Sequence, residues 1–517
     1  MINRNSLVTN LMITDQISKV GQTTVGHLLR EQANIRPFEL AVEGSDVSWT
    51  YSAFNQRVNR LANFLVSNGF RHGDRVAILS ENRPEYMEVE FAAAKLGMVV
   101  AALNWRLAYD EQLYCIQLTR PKILFVSPRF TKDAFGLDPN VQNIVKFDSE
   151  YELLLSRQKN SEPESAVNAE DPLLILFTSG TTGRPKGAII SHRAFVSRLC
   201  VFCSDYGMTR FDTFVAWAPM FHMASTDLSI GMLLIGGKVV QIDGFDVNRL
   251  VKIISSERLG WLVLMPGVID RLIDYLKVHE VKPKGILMIG AMPDLLPRRQ
   301  LTEITRLLRS PYLNSFGSTE TGIPPCSGSL LDSGGSHSKL SKMQNSFCEV
   351  RLVDSEGEEV PEGVTGELII RGPTLFSGYW SAADANKEEF RDGWFKMGDL
   401  FRRNADGSYD FVDRAKYLIK SGGENIYPAE IERVLLEENR VAEVVVVRKT
   451  DKKWGEVPVA VVARKDPSLT EQELLARCRE RLAGYKQPKQ IIFIGIDAMP
   501  RSTTGKIQRR KIESLVI

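Results

Sequence analysis

The densest chemical signal in the chain is the run Thr178-Ser179-Gly180-Thr181-Thr182-Gly183-Arg184-Pro185-Lys186-Gly187. It joins an apolar strand predicted over 173–177 to another over 187–191. Its glycines permit positive φ and expose backbone N–H groups, with hydroxyls and two cations around them. Such a loop suits the β and γ phosphates of a nucleotide. It is not a Walker A loop, because Lys186 follows a proline where that motif needs a glycine. Taken singly, the other candidate groups read blandly. His222, in Pro219-Met220-Phe221-His222, reads as a packed histidine. Thr319-Glu320, in Asn314-Ser315-Phe316-Gly317-Ser318-Thr319-Glu320, reads as a helix start. Lys506, in Arg501-Ser502-Thr503-Thr504-Gly505-Lys506, reads as one base on a solvated tail.

Taken together and in order, these segments resemble the adenylate-forming superfamily of acyl-CoA synthetases, luciferases and peptide-synthetase adenylation domains. Within it they resemble the AMP-dependent synthetase and ligase family. The resemblance runs over roughly residues 45–511 and includes Gly393-Trp394-Phe395-Lys396-Met397-Gly398-Asp399-Leu400 and Asp413-Arg414-Ala415-Lys416. It implies an ATP site of Thr178, Ser179, Gly180, Thr181, Thr182, Gly183 and Lys186, with Gly290 and Ala291 edging the adenine. Phe316 replaces the family's usual tyrosine and keeps an aromatic face for the base; Gly317 follows it. Thr319 is then the α-phosphate contact and Glu320 the Mg²⁺ ligand, since Mg²⁺ needs only one or two carboxylates besides phosphate oxygens. Asp399 and Arg414 match the ribose-binding pair, and Lys506 the lysine of the first half-reaction. Lys416 falls at the hinge. Gly422 and Gly423 match a hairpin that enters beside the pantetheine tunnel.

The resemblance also implies an acyl pocket lined by His222, Ser225, Asp227, Gly267, Asn314, Ser315 and Gly322. His222 stands where amino-acid-activating relatives carry an aspartate, which argues against an α-amino acid substrate. Three places depart from the family pattern. Ala224-Ser225 stands where a glycine is usual, Tyr417 where an acidic residue is commoner, and residues 333–344 match poorly, with Lys339 and Lys342 unexplained. The implied reaction has two steps. A carboxylate attacks the α-phosphorus of ATP, and a thiol then takes the acyl group from the adenylate. ATP, Mg²⁺ and coenzyme A are the expected cofactors and a small-molecule carboxylic acid the substrate. An acyl carrier protein is the alternative acceptor, and a monomer and a homodimer both remain open.

The elements that must position these groups follow from the hydrophobic pattern. Phe54, Val58, Leu61 and Leu65 recur at helical spacing, with Gly69 just beyond. Strands are predicted over 75–79, 99–103 and 123–126, with a helix over 84–96. The alternation continues through strands at 238–241, 261–264 and 286–289. This pattern implies an α/β fold with doubly wound parallel sheets. Short strands at 349–353, 367–371 and 409–412 suggest a small β subdomain. The last hundred or so residues read as a compact α+β unit. We expect a large N-terminal domain, 1–414, and a small mobile C-terminal domain, 415–517, that carries Lys506.

Composition excludes other classes. The 517 residues carry 65 Lys plus Arg against 63 Asp plus Glu, a formal charge of +2, which does not suit a protein that grips nucleic acid by bulk charge. The first residues lack the pattern of a secretory signal, and no apolar run is long enough to span a bilayer. The 6 cysteines are scattered apart from Cys200 and Cys203, which read as packed thiols because no second ligand pair accompanies them. Such thiol usage fits the cytoplasm.

Overall fold

The computed structural model describes residues 23–132, 134, 143–164, 166–178, 184–265, 267–337, 339–501 and 507–516. Two large sheets carry the N-terminal part. The first has six strands; its central strand Arg75–Leu79 pairs in parallel with Val99–Ala102 on one side and Ile123–Val126 on the other. The second has eight strands, with Thr213–Ala216, Lys238–Gln241, Leu259–Leu262 and Ile286–Ile289 forming its parallel centre. Both centres are mostly buried and apolar, as expected for sheets covered on both faces. The predicted helix over 84–96 and the strands over 75–79, 123–126, 238–241 and 286–289 fall where their patterns put them.

Two features differ from the sequence pattern. The eight-stranded sheet joins distant parts of the chain, since Leu40–Glu43 pairs with Lys238–Gln241, whereas Pro172–Thr178 pairs with Val99–Ala102 in the six-stranded one. The nucleotide-loop strands therefore close the first sheet rather than open the second. The strand expected at 261–264 lies at Leu259–Leu262, in register with Ile286–Ile289. A continuous apolar run has no alternation to set that register.

Helix Pro84–Leu96 runs through the core and is buried along almost its whole length. Its buried charged residues are accordingly hydrogen-bonded. Glu88 accepts from Arg57 at 2.6 Å and from Tyr151 at 2.5 Å, and Lys95 donates to Glu162, Asn55 and Asn59 at 2.6–2.7 Å. Glu90 accepts the Thr226 hydroxyl at 2.9 Å. Burial pushes its carboxyl up to about 8, with Asp227's charge adding to the shift and the Thr226 hydrogen bond opposing it. A carboxyl with a raised folded pKa contributes stability below its unfolded value that is lost as pH rises to the folded one. Glu90→Gln should therefore gain stability relative to wild type as pH rises from about 4.5 to about 8 and plateau above that. Thermal denaturation at stepped pH reads this, and parallel curves for the two proteins would contradict it.

A five-stranded β unit follows, in which Thr365–Arg371 and Trp394–Arg403 pair antiparallel and Tyr409–Arg414 adds to the latter. After the short turn Ala415–Tyr417 a separate five-stranded sheet begins at Ile419–Ser421, with its own apolar core around Val446, Val462 and Leu474. Among the described residues no helix is long and apolar enough to cross a membrane. All six cysteines are free thiols, and Cys200 and Cys203 are half-buried on helix His192–Tyr206.

Candidate active site

Ser179, Gly180, Thr181, Thr182, Gly183 and Lys506 lie outside the described residues. The hairpin that carries the nucleotide loop is described on both sides, with Thr178 paired to Lys186 across it. Lys186 donates to Glu389 at 2.7 Å and sits over the ring of Tyr379, 4.7 Å from its centroid. The Tyr379 hydroxyl lies 2.9 Å from Glu320 and 3.0 Å from Glu389. One hydroxyl has one proton to give, so it serves two carboxylates in turn. Burial and those two carboxylates raise the Tyr379 pKa, so it stays a neutral donor. The loop lysine and the Thr319-Glu320 motif, more than a hundred residues apart, thus meet through Tyr379 and Glu389. The sequence reading missed both of these residues.

The aromatic of that motif links it to Asp399 and Arg414, the pair expected at the ribose. Phe316 packs edge-on against Phe401 with centroids 4.6 Å apart and also contacts Phe411. Those two rings lie on the strands that hold Asp399 and Arg414. The strands place Asp399 opposite Arg414 in register, and Arg414 Nε is 2.8 Å from the buried Asp399 carboxylate. Lys416 follows at once. Desolvation lowers its pKa, and the charges of Arg414 and Arg510 lower it further.

Glycines here serve close packing. Gly290 has φ +72°, and a Cβ on it would stand 1.9 Å from the Tyr312 ring, whose hydroxyl lies 3.0 Å from the Ala291 carbonyl. A Cβ on Gly317 would stand 2.1 Å from the Gly322 carbonyl oxygen. Gly422 and Gly423 form the exposed turn between Ile419–Ser421 and Glu424–Ile426, with φ +59° and +89°. Trp454 backs Gly422, whereas the space beside Gly423 is open.

The predicted acyl-pocket residues divide. His222 caps helix Met223–Ile235 and accepts from the Ala224 N–H at 3.1 Å, and Ser225 in the same turn donates to the Ala218 carbonyl. Gly267 has φ +91° with open space where a side chain would be. Asn314 is fully buried and committed to the frame: its amide donates to the Ser341 carbonyl and its Oδ1 accepts from Lys342. The Ser315 hydroxyl accepts from the Met292 N–H. Lys342 is fully buried and also donates to Asp294 at 2.6 Å, so the poorly matching segment 333–344 contributes a brace beneath the Asn314 motif. Asp227 pairs with Arg198 at 2.9 Å inside the core. Arg198 was legible in principle, because it falls within the apolar stripe Phe195, Leu199, Phe202 of its helix.

Among the described residues no group of three or more His, Cys, Asp or Glu side chains could hold a metal. A single carboxylate such as Glu320 fits Mg²⁺ that arrives on nucleotide phosphates, since that ion needs only one or two protein carboxylates.

The family model described as AMP-binding enzyme matches residues 29–380, and that for the AMP-binding enzyme C-terminal domain matches 430–506. The chain belongs to the AMP-binding enzyme family. It is 34% identical over 501 residues to the indoleacetate–CoA ligase of Aromatoleum aromaticum, covering 94% of this chain and 96% of that one. To a feruloyl-CoA synthase of Amycolatopsis it is 32% identical, with 93% and 96% covered. The o-succinylbenzoate CoA synthetase of Bacillus subtilis in complex with its acyl-adenylate superposes with a TM-score of 0.83 at 28% identity, over 94% of this chain and 97% of that one. This member of the family is an AMP-forming acid–thiol ligase that joins a carboxylic acid to coenzyme A through an acyl-adenylate.

Proposed function

We propose the following division of labour in that ligase. Lys186 leaves Glu389 for the β and γ phosphates of ATP. Glu320 carries Mg²⁺, which neutralises phosphate charge when bound. Asp399 accepts from the ribose hydroxyls while Arg414 holds its carboxylate in place. The substrate carboxylate attacks the α-phosphorus, the bond to the β-phosphate oxygen breaks, and pyrophosphate leaves. Lys506 neutralises the charge that builds during this displacement. The thiol of coenzyme A then attacks the acyl carbonyl, AMP leaves, and the thiol proton passes to solvent. Thr319 and His222 orient the reacting groups, and Gly422 and Gly423 line the thiol's approach. We place the domain boundary at 414/415 and the pivot at Lys416, and the enzyme in the cytoplasm.

The observation that carries this reading is the contact of Lys186, Glu389, Tyr379 and Glu320, which joins the nucleotide loop to the metal-bearing motif within hydrogen-bonding distances. An acyl-adenylate hydrolyses readily, so the second step must follow under exclusion of water. Rotation about Lys416 would supply that cover. Titrating free coenzyme A against thioester formation tests the acceptor. Saturable thioester formation supports the ligase reading. An enzyme that releases pyrophosphate but ignores coenzyme A until a carrier protein is added contradicts it.

A further inference from the structure

The short turn Ala415–Tyr417 and the C-terminal helix Arg509–Val516 flank a cleft of about 250 Å³. It is lined by Lys416 and Tyr417 from the turn, Arg448 from strand Val441–Asp451, and Arg510, Glu513 and Ser514 from the helix. Three of these side chains are cations and one is an acid. That acid is already engaged, because Glu513 accepts from Arg448 Nε at 2.7 Å. Arg448 Nη2 donates to the Lys416 carbonyl at 2.9 Å, and Nη1 stands 3.6 Å from Glu456. Arg448 is therefore a fixed wall that fastens the turn to the small domain. Arg509 lies over the Tyr417 ring, 4.7 Å from its centroid, and adds a second fastening. Arg510 and Ser514 form the exposed rim.

Lys416 is the group this arrangement leaves out of balance. Among the described residues it is in no ion pair, and its ammonium lies 5.2 Å from the centroid of the neighbouring Tyr417 ring. Desolvation disfavours its charge and Arg414 and Arg510 repel it. Asp399 opposes them, and Lys186 of the nucleotide loop is near enough to add to the repulsion. Asp399 is itself held by Arg414 at 2.8 Å. An anion between Lys416 and Arg510 replaces that repulsion with charge-assisted hydrogen bonds. A guanidinium takes two oxygens of one phosphate at once, and an ammonium takes a third as a point charge.

We propose that this cleft binds a phosphate-class anion, orthophosphate or pyrophosphate, which bridges Lys416 on the turn and Arg510 on the helix that follows Lys506. Resting on the ligase reading and the pivot given above, a bridged turn holds the small domain in the orientation seen here, in which Gly422 and Gly423 are exposed. An occupied cleft therefore slows the thioester step.

Binding is read by calorimetry at fixed ionic strength, without acid or coenzyme A, in separate titrations of orthophosphate and pyrophosphate. The nucleotide loop also takes phosphates, so every titration is repeated in a Lys186→Gln background, where the cleft should still bind. Whichever anion binds more tightly there identifies the source. Arg510→Gln removes a cation from the rim and Ser514→Glu adds an acid to it, and neither disturbs the core. Each should weaken the Lys186-independent binding by about tenfold or more. No binding in the Lys186→Gln background, or affinities unchanged in both rim variants, overturns the site. In thioester formation from preformed adenylate, saturating orthophosphate should slow the wild type severalfold and leave Arg510→Gln near its own basal rate. Equal response of the two proteins overturns the hold on the small domain. Absence of thioester in every protein contradicts the ligase reading instead, and the binding titrations do not depend on it.

Discussion

Lys506→Ala is expected to lower pyrophosphate release by about a hundredfold or more while the variant still converts supplied acyl-adenylate and coenzyme A to thioester. The expectation follows from charge. Negative charge accumulates between the attacking carboxylate and the α-phosphate only in the first step, and a lysine ammonium on a flexible stem can reach both. In the second step the leaving group is AMP, and that demand is gone. The residues around this position are anchored for the task. Arg501 and Ile507 pair as an antiparallel bridge, Gln508 N–H donates to the Pro500 carbonyl at 2.8 Å, and Arg509 is paired with Glu432 at 2.7 Å. Stopped-flow pyrophosphate release and thioester formation from preformed adenylate separate the two steps. Equal loss of both would contradict a role confined to adenylation.

Gly423→Trp is expected to do the reverse, with thioester formation down by about a hundredfold or more and pyrophosphate release retained. The space beside Gly423 is open, so an indole there would fill the approach we propose for the thiol rather than the fold. Its φ of +89° adds backbone strain with any side chain, of about 1–2 kcal/mol. Gly423→Ala is therefore the control: it carries the strain without the bulk and should retain most thioester formation. Equal loss in the two variants would mean that the effect is conformational.

These step-selective effects rest on motifs that were plain in the sequence. Gly and hydroxyl runs, a Thr-Glu pair and a terminal lysine are local signals, and their order along the chain identifies the family. Strand positions were also local, because continuous aliphatic runs such as 75–79 and 286–289 have few alternatives. What escaped was every feature with its partner far away in sequence. Lys342 had no explanation in the sequence and is fully buried between Asp294 and Asn314. Tyr379 and Glu389 have no motif of their own and acquire a role only because the fold sets them between Lys186 and Glu320. Arg198 and Asp227 are each charged groups on the buried side of a helix, and each explains the other. Two opposite charges buried in neighbouring helices are a signal that can be sought in sequence, although the pairing needs the fold. Asn314 shows the converse: its motif position is as expected, yet its side chain is spent on the frame.

The central claim is that the acid is activated by attack of its own carboxylate on the α-phosphorus of ATP. An acid labelled with heavy oxygen in its carboxylate, turned over with ATP, Mg²⁺ and coenzyme A, tests this directly. The account predicts one labelled oxygen in the phosphate of the AMP product, the remaining label in the thioester carbonyl, and unlabelled pyrophosphate. Unlabelled AMP, or ADP with label in inorganic phosphate, would contradict it.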